Sequence, residues 1–180
     1  MESENLIIRE SIFSDCIIFA EWEKKEYIQE NFTMSGDRDY EDIVREFIIG
    51  SLDPTKLQFT IIARAEEKPI GRIQISRIDA RTDSLDITRI YIGEELYLGR
   101  GLGKEAMQLL LDHCYIKLHT ERVTLDHIPS NEKLSRFYKK LGFQYEGILR
   151  NAGKKNGRYV DFHLMSMLRA EYFEKYRAIV

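Results

Sequence analysis

The sequence predicts an α+β fold with seven strands, and three observations carry the prediction. Apolar runs at 57–65, 70–78 and 85–92 follow one another with only short polar turns between them. Strands joined that tightly pair antiparallel, because a parallel pair needs a long crossover. From Gly101 the two-residue alternation gives way to helical spacing. Two further apolar runs, 143–149 and 159–168, flank a polar turn before an amphipathic tail.

Composition sets the frame. With 180 residues, 43% of them hydrophobic and 32% charged, the chain is expected to fold as one domain over 1–180, not to remain disordered. A net charge of −3 gives no global pull toward nucleic acid. The opening MESENLIIRE lacks a basic and an apolar region, so no secretory signal is read, and no apolar run is long enough for a membrane span. Cys16 and Cys114 each sit in an apolar periodic stretch, which predicts buried free thiols and a cytoplasmic protein. His113, His119, His127 and His163 do not pair with cysteine or carboxylate at metal-ligand spacing, so no metal is expected.

The elements follow in order. Leu6, Ile7 and Ile8 read as a first strand. Ser14 and Asp15 offer an N-cap for a helix through Ile17, Phe19 and Trp22 to Lys25. An aromatic, polar stretch follows, with a turn at Met34, Ser35 and Gly36. A second helix starts at Asp39 or Tyr40, with Ile43, Val44, Phe47 and Ile48 on one buried face. Asp53-Pro54 ends it. The three-strand meander comes next, with turns at 66–69 and 79–84. A helix over 101–118 then buries Gly103, Met107, Leu110, Cys114 and Leu118. The run 122–126 is a strand, and Ser130 or Asn131 caps a helix through Leu134 and Tyr138 that Gly142 closes. The last hairpin turns at 151–158.

The most informative stretch is the passage from strand to helix at 85–104. Gly99, Gly101 and Gly103 alternate with Leu98, Arg100, Leu102 and Lys104 just before the helix. Glycine lets backbone N–H groups approach a ligand closely, and a helix start adds unpaired donors, so the stretch suits phosphate. A Walker loop is excluded: only three residues separate Gly99 from Gly103, and Glu105 stands where a hydroxyl should be. The run from Gly101 to Ala106 fits a dinucleotide fingerprint, with Asp126 at the right distance. Yet eight residues separate Ile92 from Gly101, and an antiparallel meander precedes the motif.

Leu98-Gly99-Arg100-Gly101-Leu102-Gly103 resembles motif A of the GNAT (Gcn5-related) N-acetyltransferases, Arg/Gln-x-x-Gly-x-Gly/Ala. The run from Asn131 through Tyr138 to Gly142 and Phe143 resembles motif B, Asn-x-x-Ala-x-x-x-Tyr-x-x-x-Gly-Phe. The ending looks like the branch of ribosomal-protein and small-molecule N-acetyltransferases. The resemblance implies a mixed, mostly antiparallel seven-stranded sheet with helices on both faces, splayed between strands 4 and 5. It implies an acetyl group moving from acetyl-CoA to a primary amine, of a polyamine or a protein N-terminus, by direct attack in a ternary complex. Neither nucleic acid nor membrane is expected as a partner, and a homodimer is one assembly the resemblance allows.

The resemblance also assigns roles. Ile90, Tyr91 and Ile92 would pair with the pantetheine arm, and residues 98–104 would hold the pyrophosphate. Tyr138 would protonate the leaving thiolate and touch the cofactor; Asn131 would bind the arm. The base is read from position instead: Asp86, Glu94 and Glu95 lie on or just after the strand facing the thioester, and any one of these carboxylates acting through water would suffice. By position and composition, not by the resemblance, Trp22, Glu23, Tyr27, Phe32, Tyr159 and Asp161 on the early helices and last hairpin are candidates for the acceptor. Their aromatics and carboxylates suit a cationic amine. Arg89 breaks the apolar alternation of its strand, to reach an acidic acceptor group or to pair with a carboxylate. Two positions depart from the pattern: Leu98 where the family has Arg or Gln, and Leu134 where motif B has a small residue. They leave open a second reading, an acyl-CoA sensor without chemistry.

Overall fold

A computed structural model of the chain describes residues 1–34 and 36–177. The strands are β1 (Leu6–Glu10), β2 (Leu57–Ala63), β3 (Lys68–Asp79), β4 (Ser84–Ile92), β5 (Arg122–His127), β6 (Gln144–Lys155) and β7 (Arg158–Leu168). The helices are α1 (Asp15–Trp22), α2 (Glu26–Gln29), α3 (Tyr40–Ser51), α4 (Leu102–Asp112), α5 (Glu132–Leu141) and α6 (Arg169–Arg177). One seven-stranded sheet runs in the order β1-β2-β3-β4-β5-β7-β6. Every pairing is antiparallel except β4 with β5. Among the described residues, no helix is long and apolar enough to cross a membrane.

The splay is visible in the register. β4 and β5 pair only at Ser84–Arg122, Leu85–Val123 and Asp86–Thr124, and then part. From Ile87 to Ile92 the β4 edge has no strand beside it on that side. Helices cover both faces. On one, Ala106, Met107, Leu110 and Leu111 of α4 join Tyr138, Leu141 and Tyr172 over the sheet. On the other, Cys16, Phe19 and Trp22 of α1 pack with Ile43 of α3 against Tyr91. Both cysteines are buried.

A bulge in β4 decides what faces the splay. Gln74 opposes Arg89 and Ile75 opposes Ile87, so Thr88 has no opposite number on β3. An extra residue reverses the two-residue alternation beyond it. Leu85 and Ile87 before the bulge, and Ile90 and Ile92 after it, therefore share the α4 face. Asp86, Arg89 and Tyr91 are turned to the other.

Some local readings change. Ser14 has helical backbone and caps nothing through its side chain. The Asp15 carboxylate instead takes the Ile12 N–H (2.9 Å), the Thr60 hydroxyl (2.7 Å) and the Arg9 guanidinium (2.7 Å). α1 stops at Trp22, and Tyr27 sits in the separate short α2. Asp39 caps α3 in a capping box with Asp42, but Ile48 is 46% exposed. α4 runs into a π-helical turn at His113–Lys117, whose added residue throws Leu118 out to solvent. The expected turn at 151–158 shrinks to Asn156 and Gly157, because β6 continues to Lys155 past an irregularity between Leu149 and Gly153. This is an edge strand exposed along most of its length, so no apolar alternation marks it. Of the turn read at Met34–Gly36, Ser35 lies outside the described residues.

Candidate active site

Where β4 and β5 part, a cavity of about 830 Å³ opens. Ile90, Tyr91 and Ile92 form one wall; Leu134, Phe137 and Tyr138 of α5 form another. α2 and the loop after it cover part of the mouth with Tyr27, Asn31 and Phe32. Asn131 ties the two sides. Its Oδ1 accepts the Leu134 N–H (3.0 Å) as the α5 cap, and its Nδ2 donates to Asn31 Oδ1. The Tyr27 hydroxyl donates to the Gly93 carbonyl at 2.6 Å and so braces the end of β4. Burial, then Glu95 and Glu94, push that phenol up to about 12.

The glycine turn lies beside this cavity, joined to it by Leu98, which lines it. Gly99 and Gly101 have φ of 73° and 82°, where a side chain would be strained, and a Cβ on either would meet nothing within 4 Å. The turn is therefore an open cradle, not a packed corner. Leu102 and Gly103 are the first two residues of α4, so their N–H groups have no intrahelical acceptor. Gly103 has ordinary helical backbone, and a Cβ there would sit 3.9 Å from Ile92 Cγ1. The fold itself does not require that glycine. Lys104 is exposed, and the Arg100 guanidinium lies 5.3 Å from the Tyr97 ring centre. Together, a bare strand edge, a donor-lined glycine cradle and the cavity between them fit coenzyme A: an extended amide arm ending in a pyrophosphate.

Tyr138 is buried, and its hydroxyl has no hydrogen-bond partner among the described residues. Burial, reinforced by Asp126, raises its pKa, so the phenol keeps its proton. Asp86 lines the cavity and accepts from Thr124 Oγ1 at 2.7 Å. Asp126, at the end of β5, lines it too and has no hydrogen bond among the described residues. Burial and the nearby Asp86 push the Asp126 carboxyl up to about 6, against the pull of Arg77. Next to it His127 is buried, with Nδ1 3.0 Å from the Ile128 carbonyl and Nε2 unpartnered. Burial lowers its pKa, which favours the neutral ring.

Other expected site residues lie elsewhere. Glu94 is outside the cavity lining: its carboxylate is held by Lys68 (2.8 Å) and the Trp22 indole N–H (2.9 Å). The Lys68 bond, with the indole's help, holds it below the usual carboxylate range. Glu95 is exposed in a 3-10 turn, Glu95–Tyr97. Trp22 is fully buried under Gly93, where a Cβ would lie 2.2 Å from the indole, so it shapes the end of β4 from beneath and does not line the cavity. Tyr159 is 68% exposed, and Asp161 accepts the Asn151 N–H at 2.8 Å to hold the β6 irregularity.

Arg89 does line the cavity, but within a network that periodicity does not reveal. Arg38, Arg72 and Arg89 converge on Glu23 and Glu46. The Tyr91 hydroxyl also donates to Glu23 at 3.2 Å, and Gln74 to Glu46 at 2.6 Å. Burial opposes ionisation of Glu46, but Arg89, Arg72 and Arg38 overcome it and hold the carboxyl at about 2. Sequence offers one clue: Arg72 and Gln74 alternate with Ile73 and Ile75 along β3, so they share the face turned from the Ile side, and a buried arginine must find a partner. Asp126 and His127 leave a similar mark, two polar residues ending an apolar strand.

A family model described as "Acetyltransferase (GNAT) domain" matches residues 5–144. An uncharacterized N-acetyltransferase, p20, from Bacillus licheniformis is 31% identical over 68% of this chain and 67% of its own length. Spermidine N(1)-acetyltransferase from Escherichia coli is 29% identical over 69% of this chain and 65% of its own. The crystal structure of spermidine N-acetyltransferase from Vibrio cholerae in complex with CoA and spermine superposes with a TM-score of 0.85, over 95% of this chain and 99% of that one. At 20% sequence identity, that likeness speaks for the fold. With the splayed sheet, the glycine cradle and a family match over most of its length, the chain belongs to the GNAT acetyltransferase family.

Proposed function

We propose that the cavity at the β4–β5 splay binds acetyl-CoA and moves its acetyl group to the primary amine of a small molecule or peptide, by direct attack in a ternary complex. The observation that carries this reading is the bare β4 edge ending beside an unpartnered, protonated Tyr138 phenol and the Asp86–Asp126 pair. The backbone at Ile90, Tyr91 and Ile92 pairs with the arm as an added strand would, and an amide there donates to the oxyanion. The N–H groups of Gly101, Leu102 and Gly103 take the pyrophosphate, so the role of Leu98 is apolar contact with the arm and not charge. Leu134 narrows the channel from the α5 side. Asn131 already uses one N–H and one lone pair within the protein, so its part is to fix the α5 start against Asn31.

Acetyl-CoA supplies an activated thioester. Tyr138 donates a proton to the departing sulfur, a step suited to a thiol of pKa about 8.5. Asp126, near neutrality in its titration and facing Asp86, receives a proton from the incoming ammonium. This role replaces the one expected of Glu94, whose carboxylate is turned to Lys68 and Trp22. Tyr27 and Phe32 shape the acceptor side.

The test is a thiol-release assay with acetyl-CoA against a panel of amines, beside a melting curve with coenzyme A. The expected result is a higher melting temperature and amine-dependent release. A melting temperature that rises while no amine accelerates release would identify a sensor and overturn the catalytic reading.

A further inference from the structure

The acceptor side of the cavity carries more positive than negative charge, and the excess is built in. Among the described residues, the ion pairs behind β4 place three guanidiniums, Arg38, Arg72 and Arg89, on two carboxylates, Glu23 and Glu46, a formal surplus of one positive charge within that set. Burying a charge without a partner is costly, so a surplus of this kind calls for an anion. Its position is defined. Arg72 is sealed beneath the sheet, whereas Arg38 and Arg89, at 16% and 11% side-chain exposure, reach the cavity.

Arg89 is the sharper case. Its Nη1 donates to Glu23 (3.0 Å) and Glu46 (2.8 Å). Its Nη2 and Nε have no partner among the described residues, yet they are not among the side-chain nitrogens sealed from solvent without one. A largely buried guanidinium thus presents two unused donors to the cavity, in the fork that matches a carboxylate. The β4 bulge places this fork on the same face as Asp86, three residues along the strand. Tyr91 adds no opposing charge, since burial and Glu23 raise its pKa and keep it neutral.

Resting on the acetyl-transfer reading, we infer that the acceptor is an amine that also carries a carboxylate: the Asp86–Asp126 side receives the ammonium end and the Arg89–Arg38 side the anionic end. An amino acid or the terminus of a short peptide has this chemistry. A polyamine does not, because its second cation would face the surplus guanidinium.

The experiment compares each amino acid with its α-amide, and both with spermidine, in the thiol-release assay. Calorimetry of the same ligands is run on the coenzyme A complex. The expected result is at least a tenfold higher kcat/KM for acids than for their amides. Arg89→Gln should remove that preference through KM for the acid, with KM for acetyl-CoA unchanged. Arg89→Lys, which keeps the charge but loses the fork, should fall between. Circular dichroism confirms that each variant is folded; if Arg89→Gln unfolds, Arg38→Gln takes its place. Preference for spermidine, or equal use of acid and amide by the wild type, would overturn the proposal while leaving acetyl transfer intact. Selective, Arg89-dependent binding of acids without turnover would support the anion site and overturn the catalytic reading instead. If acids show no turnover and no selective binding either, the anion site itself is overturned.

Discussion

Asp126 illustrates how a single residue can be costly to the fold and useful to the site. Folding raises its pKa from an ordinary 3.8 to about 6, so the cost of ionising it is absent below pH 3.8 and fully present above 6. Asp126→Asn should therefore stabilise the protein at pH 7.5, by about 1–2 kcal/mol once solvent screening of this half-buried group is allowed for. The same change should cut turnover and remove the limb near pH 6 from the pH–rate profile. Urea titration and a pH–kcat series read the two effects separately; loss of stability together with unchanged kcat would remove Asp126 from the mechanism. Tyr138→Phe should lower kcat by about 10²-fold with little change in KM for acetyl-CoA, as expected for a proton donor used in the transition state. A ring that merely packs under the sheet would lose stability and leave kcat alone.

At the scale of elements, the strand-turn-helix from β4 to α4 separates what folding needs from what binding needs. Gly99 and Gly101 are required by their backbone conformation, whereas Gly103 has room for a side chain. Alanine favours a helix over glycine, so Gly103→Ala should stabilise the apo protein by about 0.5–1 kcal/mol. Motif A admits alanine at this position, so binding is tested with a larger side chain: if the α4 start holds a pyrophosphate, Gly103→Val should weaken coenzyme A by about tenfold, roughly 1.4 kcal/mol. Melting curves on the alanine variant and calorimetry on the valine variant decide the matter; unchanged affinity of Gly103→Val would mean that the cradle does not approach the ligand there. This stretch was legible in the sequence because glycine spacing is a local signal. The β4 bulge was not legible. Arg89 broke the alternation of its strand, but only the pairing with β3 shows that Thr88 is the extra residue and that Arg89 and Asp86 share a face.

Across the whole molecule, the buried network couples α1, α3, β3 and β4 behind the cavity. Glu46 titrates at about 2 in the folded chain and ordinarily near 4.5, so its stabilisation is complete above pH 4.5 and lost as pH falls toward 2. Glu46→Gln leaves three guanidiniums on one carboxylate and should cost about 3 kcal/mol at pH 7. The difference from wild type should shrink to near zero at pH 2, which urea titrations at the two pH values would measure. A constant difference would show that Glu46 acts by packing and not by charge.

Sequence alone determined the α+β class, the strand count, the meander, the glycine turn and the segment carrying Tyr138. Each is written in spacing between near neighbours: alternation of two, helical periods, glycines at turns. Tertiary structure decided which side chains meet. It brought Asp126 to Asp86 across the splay, drew Glu94 away to Lys68 and Trp22, and gathered three arginines from distant segments onto Glu23 and Glu46. Those meetings depend on register and on the unpaired strand edge, and neither leaves a periodic trace in the chain.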